Sequence, residues 1–222
     1  SICVKKYIMI LIFTIIMIIL TLSLFLSMRT CNNTKHNVYK TNEKQIIKID
    51  KSTIDEETII LQNLNLKLKK FNRHWSEYNK RTAVKALKAG EDEFNIDHRI
   101  VLSLMSLESG MKIIITNKNA DKTIDFGLTM QNSRYINARY KACEKILQRR
   151  KIKYSNSKFD IAKNIMACFL YINDIKKIHN DDFKRLIMAY NIGIRGTMMK
   201  DKQQKGEKYF MAFVKHYNDF SY

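Results

Sequence analysis

Proline is missing from this 222-residue sequence, glycine occurs only 6 times and tryptophan once. Without proline no helix is interrupted by its ring, and no proline-rich spacer separates domains. The 4 cysteines, Cys3, Cys31, Cys143 and Cys168, form no CxxC pair, which removes zinc-ribbon and thioredoxin-type sites. Cys143 and Cys168 fall in separate helical patterns; they could pair in an oxidising compartment or stay as buried thiols. The 5 histidines, His36, His74, His98, His179 and His216, have no ligand spacing, so no metal site is expected. Internal repeats are absent too. Acidic residues are the scarce charge: 21 against 40 Lys and Arg, for a formal net charge of +19. That excess favours anionic partners such as nucleic acid, phospholipid or acidic wall polymers. Lys, Ile and Asn dominate the composition, and this bias alone accounts for much of the charge. No RNP-type motif, zinc-finger spacing or continuous basic helix occurs, so no nucleic-acid partner is expected.

What is present begins with Tyr7–Met28, an apolar run without a charged residue. As a helix it spans about 30 Å of hydrocarbon, longer than the apolar region of a signal peptide. Residues 1–31 therefore read as a single-pass inner-membrane anchor, with Lys5 and Lys6 before it on the inside and the rest of the chain in the periplasm. Arg29, Lys35 and Lys40 beyond the run pull against that orientation. A lipoprotein modified at Cys31 ranks second, because Arg29 is a poor approach to a lipidated cysteine. Residues 32–72 read as an Asn/Lys/Thr-rich tether followed by a stalk helix or the first helix of a domain, opened by a Thr53/Glu56 capping box.

From residue 73 to 222 the 45% hydrophobic content becomes helical patterning able to build a core. Helices are expected near 76–92, 97–109, 134–150, 159–178, 181–191 and 207–219. Asp97, Asp160 or Ser157, and Asn180 supply N-caps. Residues 111–131 break the pattern: Ile113–Thr116 and Thr123–Ile124 are β-branched and flank the turn-rich Asn117–Lys122, which predicts a small hairpin inside a helical domain.

The helix over 97–109 is apolar on nearly every side, through Ile100, Val101, Leu102, Leu104, Met105 and Leu107, and Gly110 stops it. Glu108 thus sits in the last turn of a buried helix. Burial and the unpaired carbonyls of that turn both disfavour its charged form, which suits a general acid for a glycosidic oxygen. On position alone a solvent-reaching surface Glu is the more common case.

Motifs in order along the chain change that balance. Glu108-Ser109-Gly110-Met111 resembles the Glu-Ser-x-hydrophobic motif of lytic transglycosylases, the lysozyme-like enzymes that cut peptidoglycan. Asp125 to Arg134, DFGLTMQNSR, resembles their Asp-Tyr-Gly-Leu-Met-Gln-Ile-Asn-Ser segment, and Ala189 to Gly193, AYNIG, their Ala-Tyr-Asn-x-Gly motif. Asn164-Ile165 resembles the family's Asn-Ile. The resemblance covers about residues 76–220 and implies a mainly α, lysozyme-like domain with a small β-hairpin. It implies Glu108 as general acid and then base, Tyr190 as the group that fixes the Glu108 rotamer, and Asn191 and Gly193 as the shape of that helix end. Ser109, Gln131, Asn132 and Asn191 become candidate substrate-binding residues, and no cofactor is needed. The stretch from Glu108 to Asp125 also resembles the two-carboxylate segment of animal-type lysozyme, which makes Asp125 a second candidate catalytic group. For Tyr190 the plain alternative is core aromatic packing, and for Asp125 a turn-capping role before Gly127. Members with Asp before Tyr/Phe-Gly resemble the wall-opening enzymes of secretion and pilus machines, so peptidoglycan strands and such an envelope machine are the expected partners.

One departure stands out. The family's Gly-Leu-Met-Gln is here Gly127-Leu128-Thr129-Met130-Gln131, so either Met130 replaces the glutamine or Thr129 is an insertion that a bulge must absorb. The leading expectation is a lytic transglycosylase that leaves 1,6-anhydromuramic ends. The alternatives are a lysozyme-type hydrolase using Glu108 and Asp125, and a wall-binding scaffold without activity.

Overall fold

The computed structural model describes residues 55–179 and 182–220. The apolar run at 7–28, the tether, Cys3, Cys31, Thr53 and Asn180 lie outside these residues. Among the described residues no helix is long and apolar enough to cross a membrane.

Helix α1 (Glu56–Lys70) is followed by α2 (Glu77–Phe94) and α3 (His98–Ser109). A three-stranded antiparallel sheet comes next, ordered β1 (Thr116–Lys118), β2 (Ile124–Phe126) and β3 (Gln131–Asn132). Helices α4 (Ile136–Arg149), α5 (Ile161–His179), α6 (Phe183–Gly196) and α7 (Lys200–Tyr217) and a 3-10 turn at Asn218–Phe220 complete the unit. The mainly helical architecture with a small sheet fits the lysozyme-like domain expected from the sequence.

Local chemistry explains most helix ends. The Ser76 hydroxyl accepts from the Asn79 amide at the start of α2, Asp97 accepts from Arg99 N at the start of α3, and Asp160 accepts from Lys163 N before α5. Asp182 caps α6 by accepting from Arg185 N. Asp55 stands at the N-cap of α1 with no side-chain cap bond. Asn95 and Gly110 close α2 and α3 in the left-handed conformation.

Helix α5 is the centre of the core: Ala162, Ile165, Met166, Ala167, Cys168, Phe169 and Ile172 are all fully buried. It packs on α2, α4 and α6, and α3 packs against α7. Gly90 lets α2 approach α5, since a Cβ there would fall 2.2 Å from the Phe169 ring. Helix α1 buries Ile60, Leu64 and Leu68 in the same core, so the helical unit extends N-terminal of residue 73. Lys67, also fully buried, donates to Asp219 at 2.6 Å and to the His216 carbonyl, tying α1 to the C-terminal turn. Cys143 and Cys168 are both free and buried, so the disulfide alternative does not hold.

Some boundaries differ from the sequence reading. Strand β1 begins at Thr116, leaving Ile113–Ile115 as loop, and a third short strand extends the hairpin. Helix α7 begins at Lys200, earlier than 207, because Lys200–Lys205 carries no apolar residue and gives no amphipathic signal although it is helical.

Candidate active site

Glu108 is fixed by the way α3 ends. Val101, Leu102, Leu104 and Met105 lock the helix into the core. Arg73 Nε donates to the Gly110 carbonyl at 3.0 Å and Trp75 Nε1 to the Met111 carbonyl at 3.1 Å, so the α1–α2 connection clamps the residues just beyond it. The half-buried Glu108 side chain opens into a cleft of about 670 Å³ between the sheet, α4, α5, α6 and the first turns of α7. Burial is the main cause that pushes its carboxyl up to about 7. The charge of Asp125 adds to the rise, and a hydrogen bond from the Tyr209 hydroxyl to Oε1 opposes it. Burial also pushes the phenols of Tyr190 and Tyr209 well above their ordinary value, helped by nearby Glu108, so both remain donors at neutral pH.

The hydroxyl on Glu108 is therefore that of Tyr209, on α7. Tyr190 instead donates to the Thr129 carbonyl at 2.8 Å and packs against Tyr171 in a tilted pair with ring centroids 5.3 Å apart. The sequence reading assigned the Glu108 contact to Tyr190; α6 presents the Tyr190 hydroxyl to the β2–β3 turn, and α7 crosses behind Glu108. Tyr209→Phe removes a hydrogen bond that favours the ionised carboxylate. The alkaline limb of the pH–rate profile should then move upward by roughly half to one unit. An unshifted limb would mean that this contact does not set the titration of Glu108.

Asp125 faces the same cleft from β2. Strand register pairs it with Asn117 on one side and Asn132 on the other. Its two oxygens are held by amides, Oδ2 by Asn119 Nδ2 at 2.9 Å and Oδ1 by Asn132 Nδ2 at 2.8 Å. These bonds orient the carboxylate and reduce its freedom to swing.

The β2–β3 turn carries the departure from the family's motif at Thr129-Met130-Gln131. Gly127 (φ 74) and Met130 (φ 49) both adopt the left-handed region, and the Met130 amide donates to the Gly127 carbonyl at 3.2 Å. Thr129 is fully buried beneath the turn: its amide donates to Asn164 Oδ1 at 3.0 Å and its hydroxyl to the Asn164 carbonyl at 3.1 Å. Gln131 follows in β3, its Nε2 donating to Thr129 Oγ1 at 2.9 Å and its Oε1 accepting from Arg139 at 3.0 Å. The turn that carries Thr129 is thus left-handed at two positions, and Gln131 lines the cleft.

Of the sequence-derived candidates, Glu108, Asp125, Tyr190, Gln131, Asn132 and Asn191 share this cleft. Ser109 does not; it points into the core and donates to the Met105 carbonyl at 2.8 Å. Gly193 (φ 74, ψ 160) breaks α6 just after Asn191, which leaves Asn191 exposed at the cleft wall. The sequence reading missed Tyr209, Arg139, Tyr135, Tyr171, Lys202 and Lys205. All but Tyr135, which stands just before α4, sit on helices whose periodicity marks only the core side, so nothing local distinguished them. One trio among the described residues, Glu91, Asp97 and His98, brings possible metal-ligand atoms within 4.8 Å. These atoms serve one another, Arg99 and Asn63, and none lines the cleft.

Residues 85–213 match the Transglycosylase SLT domain family. Neither the curated proteins nor the solved structures give a match. The matched span takes in more than half of the chain, including the helix end with Glu108, the whole sheet and helix α6 with Tyr190. The chain therefore belongs to the SLT transglycosylase family, whose members are lytic transglycosylases acting on peptidoglycan.

Proposed function

We propose that this protein cleaves the β-1,4 bond between N-acetylmuramic acid and N-acetylglucosamine and leaves 1,6-anhydromuramic ends. The observation that carries the reading is a carboxyl, Glu108, held protonated near neutral pH by burial and oriented by Tyr209 inside a long open cleft. The Glu108 carboxyl gives its proton to the glycosidic oxygen as the C1–O bond breaks. The acetamido carbonyl oxygen of the muramic residue bonds to C1. The Glu108 carboxylate then takes the C6 hydroxyl proton, O6 bonds to C1, and the acetamido oxygen leaves. Asp125, fixed by two amides, supplies charge that keeps Glu108 neutral and favours the cationic intermediate.

Asp125→Asn on this reading retains substantial activity, lowered roughly tenfold, with anhydro ends in the digest. The hydrolase reading draws on the presence of both carboxylates in one cleft. It requires Asp125→Asn to be nearly as damaging as loss of Glu108, with reducing muramic ends formed from water. Mass analysis of digested peptidoglycan from the parent and the variant separates the two. The scaffold reading is disfavoured by the retained Glu108 and by a turn in which the Thr129 amide, hydroxyl and carbonyl all have partners.

The Asp125-Phe126-Gly127 motif supports a kinship with the wall-opening enzymes that serve secretion or pilus machines, and an envelope machine is the partner class we infer. We place the chain in the inner membrane through residues 7–28, with the catalytic unit in the periplasm and a lipoprotein at Cys31 as the second choice. Full-length protein should stay with the membrane fraction, and its C-terminal unit should be digested by external protease in spheroplasts. Full-length protein in the soluble fraction would count against an anchor.

A further inference from the structure

The cleft holds three cations, Arg139, Lys202 and Lys205, beside three acids, Glu108, Asp121 and Asp125. The acids are accounted for. Glu108 is neutral below about 7, Asp125 is bound by the Asn119 and Asn132 amides, and Asp121 pairs with Arg134 at 3.4 Å. The cations are not: among the described residues none of the three is ion-paired to a carboxylate. Lys202 and Lys205 are both exposed and lie one turn apart on α7, so their ammonium groups project from the same helical face. Arg139 comes from α4. Its guanidinium sits 4.0 Å over the Tyr171 ring and donates one N–H to Gln131 Oε1, which fixes the plane of the fork and leaves other donors free of a carboxylate. Tyr135, half exposed on the same wall, has the Arg139 guanidinium 5.5 Å from its ring. Three cations in one cleft, none of them paired with a carboxylate among the described residues, favour the entry of an anion.

We propose that Arg139, Lys202 and Lys205 form a carboxylate-binding face that makes the cleft select glycan segments bearing acidic substituents over neutral segments of the same backbone. The proposal rests on the glycan-cleaving reading of the cleft. Two sources share the required chemistry, the lactyl carboxylate of a bare muramic residue and the carboxylates of its stem peptide. Arg139 is left intact in the test because its loss would also release Gln131. Both lysines are exposed, so Lys202→Met and Lys205→Met leave the core untouched.

Binding is measured by calorimetry on the full chain in detergent carrying Glu108→Gln, so that ligands persist. The ligands are a peptide-bearing glycan oligomer, the same oligomer stripped of peptide, and a neutral chitin oligosaccharide of equal length. We expect the peptide-bearing oligomer to bind at least about tenfold more tightly than chitin at low salt. The ratio should shrink as salt rises and fall by about twofold to fivefold for each lysine removed. A stripped oligomer that binds like the peptide-bearing one assigns the site to the lactyl group; one that binds like chitin assigns it to the stem peptide. Equal affinity for all three ligands, or a ratio unchanged by the double lysine variant, overturns the proposal. Because the readout is binding, a failure of the assignment of Glu108 as the acid would appear separately, as residual cleavage by Glu108→Gln.

Discussion

Glu108→Gln is expected to reduce peptidoglycan cleavage by at least about a thousandfold while leaving the fold intact. The amide matches the carboxyl in size and can still accept the hydrogen bond from Tyr209, but it cannot deliver a proton to the departing oxygen or later remove one. General acid–base assistance is worth roughly 100- to 10,000-fold, and here one group supplies both steps. Turbidity clearing of purified peptidoglycan reads the effect, and circular dichroism checks the fold. Clearing at the parental rate would reduce Glu108 to a structural residue. The same substitution carries a stability signature. The folded carboxyl titrates near 7, above its unfolded value of 4.5, because burial disfavours its charge. A raised carboxyl pKa means that the native state holds its proton more tightly than the unfolded chain. That contribution is fully present below about 4.5 and is lost as pH rises through about 7. At pH 8 the native protein must bury a carboxylate, at a cost of roughly 3 kcal/mol for a shift of this size. Glu108→Gln should therefore raise the melting temperature at pH 8 and change it little at pH 4. The parental enzyme should lose activity as pH climbs through about 7, as its acid form disappears.

The second large effect is structural. Gly127→Ala should destabilise the unit by about 3–4 kcal/mol and lower the melting temperature by about 10 °C. Two costs add. An L-residue at φ 74 is strained by about 1 kcal/mol. The new Cβ would also lie 2.4 Å from Asn164 Nδ2 and 2.9 Å from its Cγ. Asn164 cannot yield cheaply. It is fully buried, and its amide group donates to the Tyr140 hydroxyl and accepts from Thr129 N, so moving it strands buried polar groups. Activity should fall as well, because Thr129 and Gln131 hang from this turn. Gly193→Ala is the contrast: φ is again 74 and ψ is 160, but no atom lies within 4 Å of the added Cβ, so only backbone strain of about 1–3 kcal/mol applies. A loss of only about 1 kcal/mol in Gly127→Ala, read by thermal unfolding, would show that the Asn164 contact does not determine the shape of the turn.

The amino-acid order by itself determined the buried character of α3, its stop at Gly110, the acid in its last turn and the polar break before α4. Each follows from neighbouring residues alone: a run of apolar side chains, a glycine free to turn left-handed, and side chains such as Asp97 that bond the nearest backbone amides. The motif order was legible for the same reason, since Asp125, Gln131, Asn132, Tyr190 and Asn191 sit in short segments whose residue types are distinctive. What touches Glu108 was decided only in three dimensions. Tyr209 lies on the other side of the chain from Glu108, and its place on the carboxyl comes from α7 packing across α3. Ser109, adjacent to the acid in sequence, turns away because a helix sends consecutive side chains about 100° apart. The fate of Thr129 was equally tertiary: whether a departure from the motif spoils the turn depends on what lies beneath it, and Asn164 lies beneath it here. Lys202 and Lys205 gave no sequence signal at all, because a polar helical segment looks the same whether it faces open solvent or the wall of a cleft. Periodicity reports which face of a helix is buried in its own core; the meeting of residues far apart in the chain depends on how those helices pack.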